Sequence, residues 1–147
     1  MRIDLGCGQH CRGDIGITSG HSVCEATLGV DPFVLPFGFE YNPKATIYNG
    51  SIEDYVPYMP EGAMVLMSHV IEHLHCPHSV LRAIKVSHPK ILVVVTPNAL
   101  KNNADWIDSG HIYSFTEASL KNLLSLFFKV QIKTIEDGRD LMAVATL

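Results

Sequence analysis

Five aliphatic residues in a row, Ile91-Leu92-Val93-Val94-Val95, constrain this chain more than any other stretch. An unbroken run of this kind predicts a central strand buried on both faces, the pattern of a parallel sheet covered by helices rather than of a sheet with one wet side. The rest of the sequence alternates strand and helix around it. Strands are expected at Arg2–Leu5, Thr27–Asp31, Ala45–Asn49 and Met64–Met67, with a short helix around Ser22–Ala26. Pro32, Pro36 and Pro43 make Pro32–Lys44 mostly loop, and Ser51–Tyr58 reads as a short acidic segment. Helical spacing over Val70–Ser87 gives one apolar face to Val70, Leu74, Leu81 and Ile84. Thr116-Glu117-Ala118-Ser119 caps a helix running to about Phe128. Val130–Ile135 and Leu141–Thr146, joined by Glu136-Asp137-Gly138-Arg139-Asp140, predict a terminal hairpin. The sum is a doubly wound α/β sheet with an antiparallel edge.

At 147 residues the chain is expected to be one domain, 1–147, large enough for a real core. The charge balance is mild, with 18% charged residues and a formal net charge of −4, which argues against sequence-independent binding to nucleic-acid backbones. No apolar run approaches the ~20 residues that span a bilayer. The chain opens directly on a strand, so no signal peptide is expected. Cys7, Cys11, Cys24 and Cys76 form no disulfide framework, which makes a cytoplasmic setting the default.

The ends of the first two strands carry the chemistry. Met1-Arg2-Ile3-Asp4-Leu5-Gly6-Cys7-Gly8 turns from a strand into an acid and two glycines spaced one apart. Glycines there let the backbone approach a nucleotide-like ligand closely, since no Cβ stands in the way. Thr27-Leu28-Gly29-Val30-Asp31 ends on a second acid able to accept hydrogen bonds from a ribose diol. Together they predict an adenosine-bearing cofactor on the carboxyl ends of a parallel sheet. Gly13-Asp14-Ile15-Gly16-Ile17 is an alternative second strand, with Asp31 preferred.

Over nearly its whole length the chain resembles the class I S-adenosylmethionine-dependent methyltransferases, in particular their small type 11 group. The segments that carry the likeness are Ile3–Gly8, Gly29-Val30-Asp31, Asn49-Gly50-Ser51-Ile52-Glu53-Asp54, Ser68-His69-Val70-Ile71-Glu72-His73-Leu74 with Pro77, Thr96-Pro97-Asn98, and His111-Ile112-Tyr113-Ser114-Phe115-Thr116, in the family's order. The resemblance implies a mostly parallel, seven-stranded Rossmann-like sheet ending in an antiparallel hairpin. It implies S-adenosyl-L-methionine held by Asp4, Gly6, Cys7, Gly8, Asp31, Ser51, Ile52 and Ser68. Three departures stand out. His10 replaces the third glycine, Ser51 replaces the acid beside the adenine, and the leading helix that usually covers the cofactor is lacking. The missing cover suggests a homodimer.

Methyl transfer is an in-line displacement, so the acceptor side needs groups that align a nucleophile and take its proton. His69, Glu72, His73 and His111 are the candidate catalytic residues, with Asn98 at the same strand ends and Trp106 and Tyr113 as possible walls. The expected acceptor is a small molecule or glycan-like group, methylated on oxygen or, less favoured, on nitrogen; no membrane partner is expected, and a nucleic-acid acceptor is a less favoured alternative. His69-Val70-Ile71-Glu72-His73 is also an inverted zinc-protease motif if helical, with all three side chains on one face. Some O-methyltransferase subgroups carry Glu-x-x-Glu-His at this place with a later histidine. A divalent metal on His69, Glu72, His73 and His111 is therefore an alternative, though not the favoured one. Cys7, His10, Cys11, His21 and Cys24 offer a less favoured zinc knuckle. His75 and His78 read as surface residues. A non-catalytic cofactor-binding module and a zinc hydrolase remain the rival functions.

Overall fold

The structure, a computed structural model, describes residues 1–6, 27–32, 45–101 and 110–147. Seven strands form one sheet in the order β3-β2-β1-β4-β5-β7-β6. They are β1 (Arg2–Leu5), β2 (Leu28–Val30), β3 (Thr46–Tyr48), β4 (Met64–Ser68), β5 (Ile91–Pro97), β6 (Lys129–Ile135) and β7 (Asp140–Thr146). The first five run parallel, and β7 is inserted antiparallel between β5 and β6. The chain winds outward from β1 to β3 on one side and through β4 and β5 on the other. The strand order reverses between β1 and β4, and the carboxyl ends at such a reversal are where open α/β sheets take their ligands.

The aliphatic run is the strand flanked on both sides that the sequence predicts. Leu92, Val93 and Val94 are fully buried, with β4 on one side and β7 on the other. Strand alternation then splits the core. Leu5, Val30, Val65, Met67, Leu92 and Val94 share a large cluster with Leu81 and Ile84 of α2 (Pro77–Val86) and Leu120 and Leu124 of α3 (Glu117–Ser125). Leu66, Val93, Val95, Ile135 and Met142 form a smaller cluster of their own.

Local chemistry sets the helix ends. Ser51 caps α1 (Ile52–Tyr55) by accepting from the Asp54 N–H at 3.0 Å, and a 3-10 turn at Val56–Tyr58 follows. Thr116 and Ser119 form a reciprocal capping box on α3, which stops at Ser125 rather than Phe128. The stretch expected as one helix over Val70–Ser87 is broken. A 3-10 turn covers Ile71–His73, Leu74 is extended, and α2 starts only at Pro77. Pro77 is the reason: its ring disfavours helical geometry at Cys76, which sits at φ −135°, ψ 77°, while proline itself suits the first helical position. Val70, Leu74, Leu81 and Ile84 are nonetheless all buried, because the break keeps them against the same sheet face.

Leu81 is fully buried in the main cluster and Val86, on the same helix, is 72% exposed. Leu81→Ala is expected to cost about 2–5 kcal/mol, and Val86→Ala within about 0.5 kcal/mol, as read from urea unfolding midpoints.

Candidate functional site

The candidate site is built at the carboxyl ends of β1, β2, β4 and β5. Asp4 is the third residue of β1 and is buried. Asp31 follows the last residue of β2 and is also buried. Backbone bonds hold these two exits together, with the Gly6 N–H donating to the Val30 carbonyl at 2.7 Å and the Asp31 N–H to the Tyr48 carbonyl at 3.2 Å. The side-chain amide of Asn49, turned nitrogen-inward, adds donations to the carbonyls of Asp31 and Pro32. Gly6 has φ +75°, and a Cβ there would run into Val70 Cγ2, so both backbone and packing demand glycine. Cys7 and Gly8, like His10, Cys11, His21, Cys24 and Trp106, lie outside the described residues, as does the alternative strand at 13–17. The pairing of Leu28–Val30 with β1 makes Asp31 the acid at the second strand's end.

The hydroxyl of Ser51, expected beside the adenine, is taken up by the α1 cap, and the Ile52 side chain belongs to the core. Ser68 is the half-buried last residue of β4. His69 then reverses the chain. Its N–H still donates to the Val95 carbonyl at 2.9 Å, but its φ is +54°, a left-handed conformation that costs a non-glycine residue about 1–3 kcal/mol. The helical face expected for His69, Glu72 and His73 is therefore not formed, and neither is the inverted-protease geometry. The His69 ring instead lies between two carboxylates, with Nδ1 3.6 Å from Glu72 Oε1 and Nε2 3.6 Å from Asp140 Oδ2.

Glu72 is the centre of the site. Its side chain is 1% exposed, and Oε2 accepts from the Thr96 hydroxyl at 3.0 Å. Its backbone carbonyl accepts from the N–H groups of Ile112 and Tyr113 at 2.8 and 3.0 Å, which draws His111 to the β4 exit. His73 Nδ1 lies 3.0 Å from the Gly110 carbonyl, and the His73 and His111 rings meet edge-on with centroids 4.7 Å apart. Glu72, His73 and His111 are thus brought together, with one nitrogen or oxygen of each within 4.8 Å of the others.

Other expected residues turn out to be structural. Both ends of the Asn98 amide are engaged, Nδ2 donating to the Gly138 carbonyl and Oδ1 accepting from the Leu100 N–H. Tyr113 donates its hydroxyl to the His75 carbonyl and stacks on Phe115. His75 and His78 are exposed, as expected. Sequence reasoning missed Asp140, whose contact with His69 spans nearly half the chain and leaves no local signal. An open groove of about 580 Å³, lined by Val56, Met59, Arg82 and Val86 among others, lies at the opposite, amino ends of β4 and β5.

The architecture is shared with solved methyltransferases. Human N-acetylserotonin methyltransferase, solved with SAM, superposes with a TM-score of 0.71 at 16% identity, over 98% of this chain and 46% of that one. The fold is that of the class I methyltransferases. The N,N-8-amino-8-demethyl-D-riboflavin dimethyltransferase of Streptomyces davawensis gives 0.69 at 15% identity, over 99% of this chain and 49% of that one. Magnesium protoporphyrin IX methyltransferase of Synechocystis PCC 6803, solved with SAH, gives 0.58 at 13%, over 97% and 72%. The chain thus spans about half the length of the first two. No family model and no curated protein sequence matches it.

Burial pushes the Asp140 carboxyl above its ordinary range, with His69 opposing and Glu136 adding to the rise. A group whose pKa is raised by folding supports the fold below its unfolded value, about 3.9 for aspartate, and loses that support as pH climbs through the raised value. Asp140→Asn is therefore expected to flatten the fall in stability as pH rises from about 4. Urea midpoints across the acidic range check this, and an unchanged slope would contradict it.

Proposed function

We propose that this chain is a soluble, cytoplasmic S-adenosylmethionine-dependent methyltransferase, and that it methylates oxygen on a small-molecule or glycan-like acceptor. The observation that carries the reading is the pair of buried acids, Asp4 and Asp31, on neighbouring strands beside the reversal between β1 and β4. An acid at each strand end and a left-handed Gly6 fit an adenosine-bearing group. The methyltransferases sharing the fold, two of them solved with SAM or SAH, support the choice of cofactor. No helix among the described residues is long and apolar enough to cross a membrane.

When bound, the cofactor supplies an electrophilic methyl group on a sulfonium. Asp31 would accept hydrogen bonds from the ribose hydroxyls, while Gly6, left-handed and without a Cβ, would let the backbone pass close beneath the ligand. Asp4 and Ser68 line the neighbouring strand ends. With the Ser51 hydroxyl engaged in its cap, adenine contacts fall to the Ile52 backbone N–H.

The acceptor side is the exit of β4. His73 and His111 are the groups that receive the acceptor's hydroxyl proton as its oxygen bonds to the methyl carbon. The bound cofactor would give up the methyl group and keep the carbon–sulfur bonding pair on sulfur. Glu72 holds His111 beside His73 through its backbone carbonyl, which accepts from the Ile112 and Tyr113 N–H groups. His69, with a carboxylate near each ring nitrogen, is a positioning group rather than a base. One domain covering 1–147 and a homodimer complete the reading.

Titration calorimetry with S-adenosylhomocysteine tests it. Micromolar binding is expected for the native chain. Asp31→Ala is expected to weaken it at least about tenfold, since hydrogen bonds to a charged group contribute about 1.5–3 kcal/mol. Asp31→Asn serves as the variant that preserves shape. No binding to the native chain would overturn the reading.

A further inference from the structure

Glu72 poses a problem that the methyl-transfer reading leaves open. Its carboxylate is buried, yet among the described residues only Oε2 has a hydrogen bond, and Oε1 has none. The nearest basic nitrogen, His69 Nδ1, stands 3.6 Å away, beyond hydrogen-bond reach. A buried carboxylate oxygen with no partner is rare, because it gives up hydration for nothing in return. What faces this carboxylate is a pair of imidazoles. His73 Nδ1 lies 3.0 Å from a carbonyl that can only accept, so Nδ1 carries the proton and Nε2 keeps its lone pair. A backbone carbonyl on the far nitrogen is the usual way a metal-binding histidine is oriented. His111 is delivered beside it by the two bonds that tie Ile112 and Tyr113 to the Glu72 carbonyl.

We propose that Glu72, His73 and His111 form the binding site of one divalent ion of the zinc class, with an open coordination position toward solvent. One ligand atom from each residue already lies within 4.8 Å of the others. An ion with bonds of about 2.0–2.2 Å keeps tetrahedral ligands about 3.4 Å apart, so modest rotation of the solvent-facing imidazoles closes the set. Two nitrogens and one carboxylate suit zinc or its transition-metal neighbours, whereas magnesium and calcium take oxygen ligands. Three protein ligands with a free fourth position is the pattern of a catalytic ion, not a structural one. The ion gives Glu72 Oε1 the partner it lacks. A role for the ion in lowering the pKa of an acceptor hydroxyl, which would replace direct proton transfer to His73 and His111, rests on the methyl-transfer reading; the binding of the ion does not.

The test is zinc binding to the chelator-treated chain, by calorimetry and by elemental analysis after dialysis, with the visible absorption of a cobalt(II) form as a spectroscopic readout. One equivalent is expected. His73→Ala and His111→Ala, both at solvent-reached positions, are each expected to weaken binding more than about a hundredfold and to abolish the cobalt spectrum. His78→Ala, an exposed histidine outside the site, leaves both unchanged. Glu72→Gln keeps an oxygen for the Thr96 hydroxyl and so preserves the fold, while losing the anionic ligand and with it the ion. Absence of stoichiometric zinc would overturn the proposal. So would zinc that survives both His73→Ala and His111→Ala, which would place it on the cysteines between Cys7 and Cys24. Calorimetry with S-adenosylhomocysteine on the same metal-free samples separates the two readings. Zinc without cofactor binding upholds the ion and sinks the methyltransferase, and cofactor binding without zinc does the reverse.

Discussion

The site depends on the seating of Glu72. One residue joins three separate segments: its own turn after β4, the end of β5 through the Thr96 hydroxyl, and residues 110–113 through two bonds to its carbonyl. Removing one side of a buried hydrogen bond to a charged group costs about 1–3 kcal/mol or more, so these segments are tied far more firmly than their irregular backbone suggests. His73 and His111 meet because of that tie, not because a helix presents them together. The left-handed turn at His69 is part of the same arrangement. It ends β4 abruptly enough to bring Glu72 back over the sheet, and the Asp140 carboxylate at the start of β7 stands at the far side of the His69 ring.

The division of the molecule follows from its topology. The carboxyl ends of the strands carry the buried acids and the imidazoles, while the amino ends of β4 and β5 carry the open groove along α2. Open α/β sheets bind ligands at the former, where strand order reverses. The residues proposed for cofactor and acceptor therefore fall on adjacent strand exits, Asp4 and Asp31 at β1 and β2, and Glu72 and His73 after β4. The described residues supply few groups to enclose them, and both imidazoles remain open to solvent.

Much of the architecture was legible because it rests on short-range pattern. The aliphatic run at Ile91–Val95, the Thr116–Ser119 cap and the turn between β6 and β7 each state their structure within a few residues. The strand boundaries agree to about one residue. The stretch after β4 was misread because its apolar spacing fits a helix equally well, and the restriction that Pro77 places on Cys76 decided otherwise. The site was partly legible: Glu72, His73 and His111 could be named, but not the geometry that joins them. The engagement of Asn98 with the hairpin, the use of Ser51 as a cap and the contact between His69 and Asp140 are all consequences of packing. They leave no trace in the local sequence.

On the proposed reading, an adenosine-bearing methyl donor sits where the sheet reverses, between β1 and β4. A crystal structure of the chain grown with S-adenosylhomocysteine tests this most directly. The ribose hydroxyls are expected against the Asp31 carboxylate and the homocysteine sulfur beside Gly6, facing the turn that carries Glu72 and His73. Ligand bound elsewhere, as in the groove along α2, or strand ends left bare at saturating ligand, would contradict it.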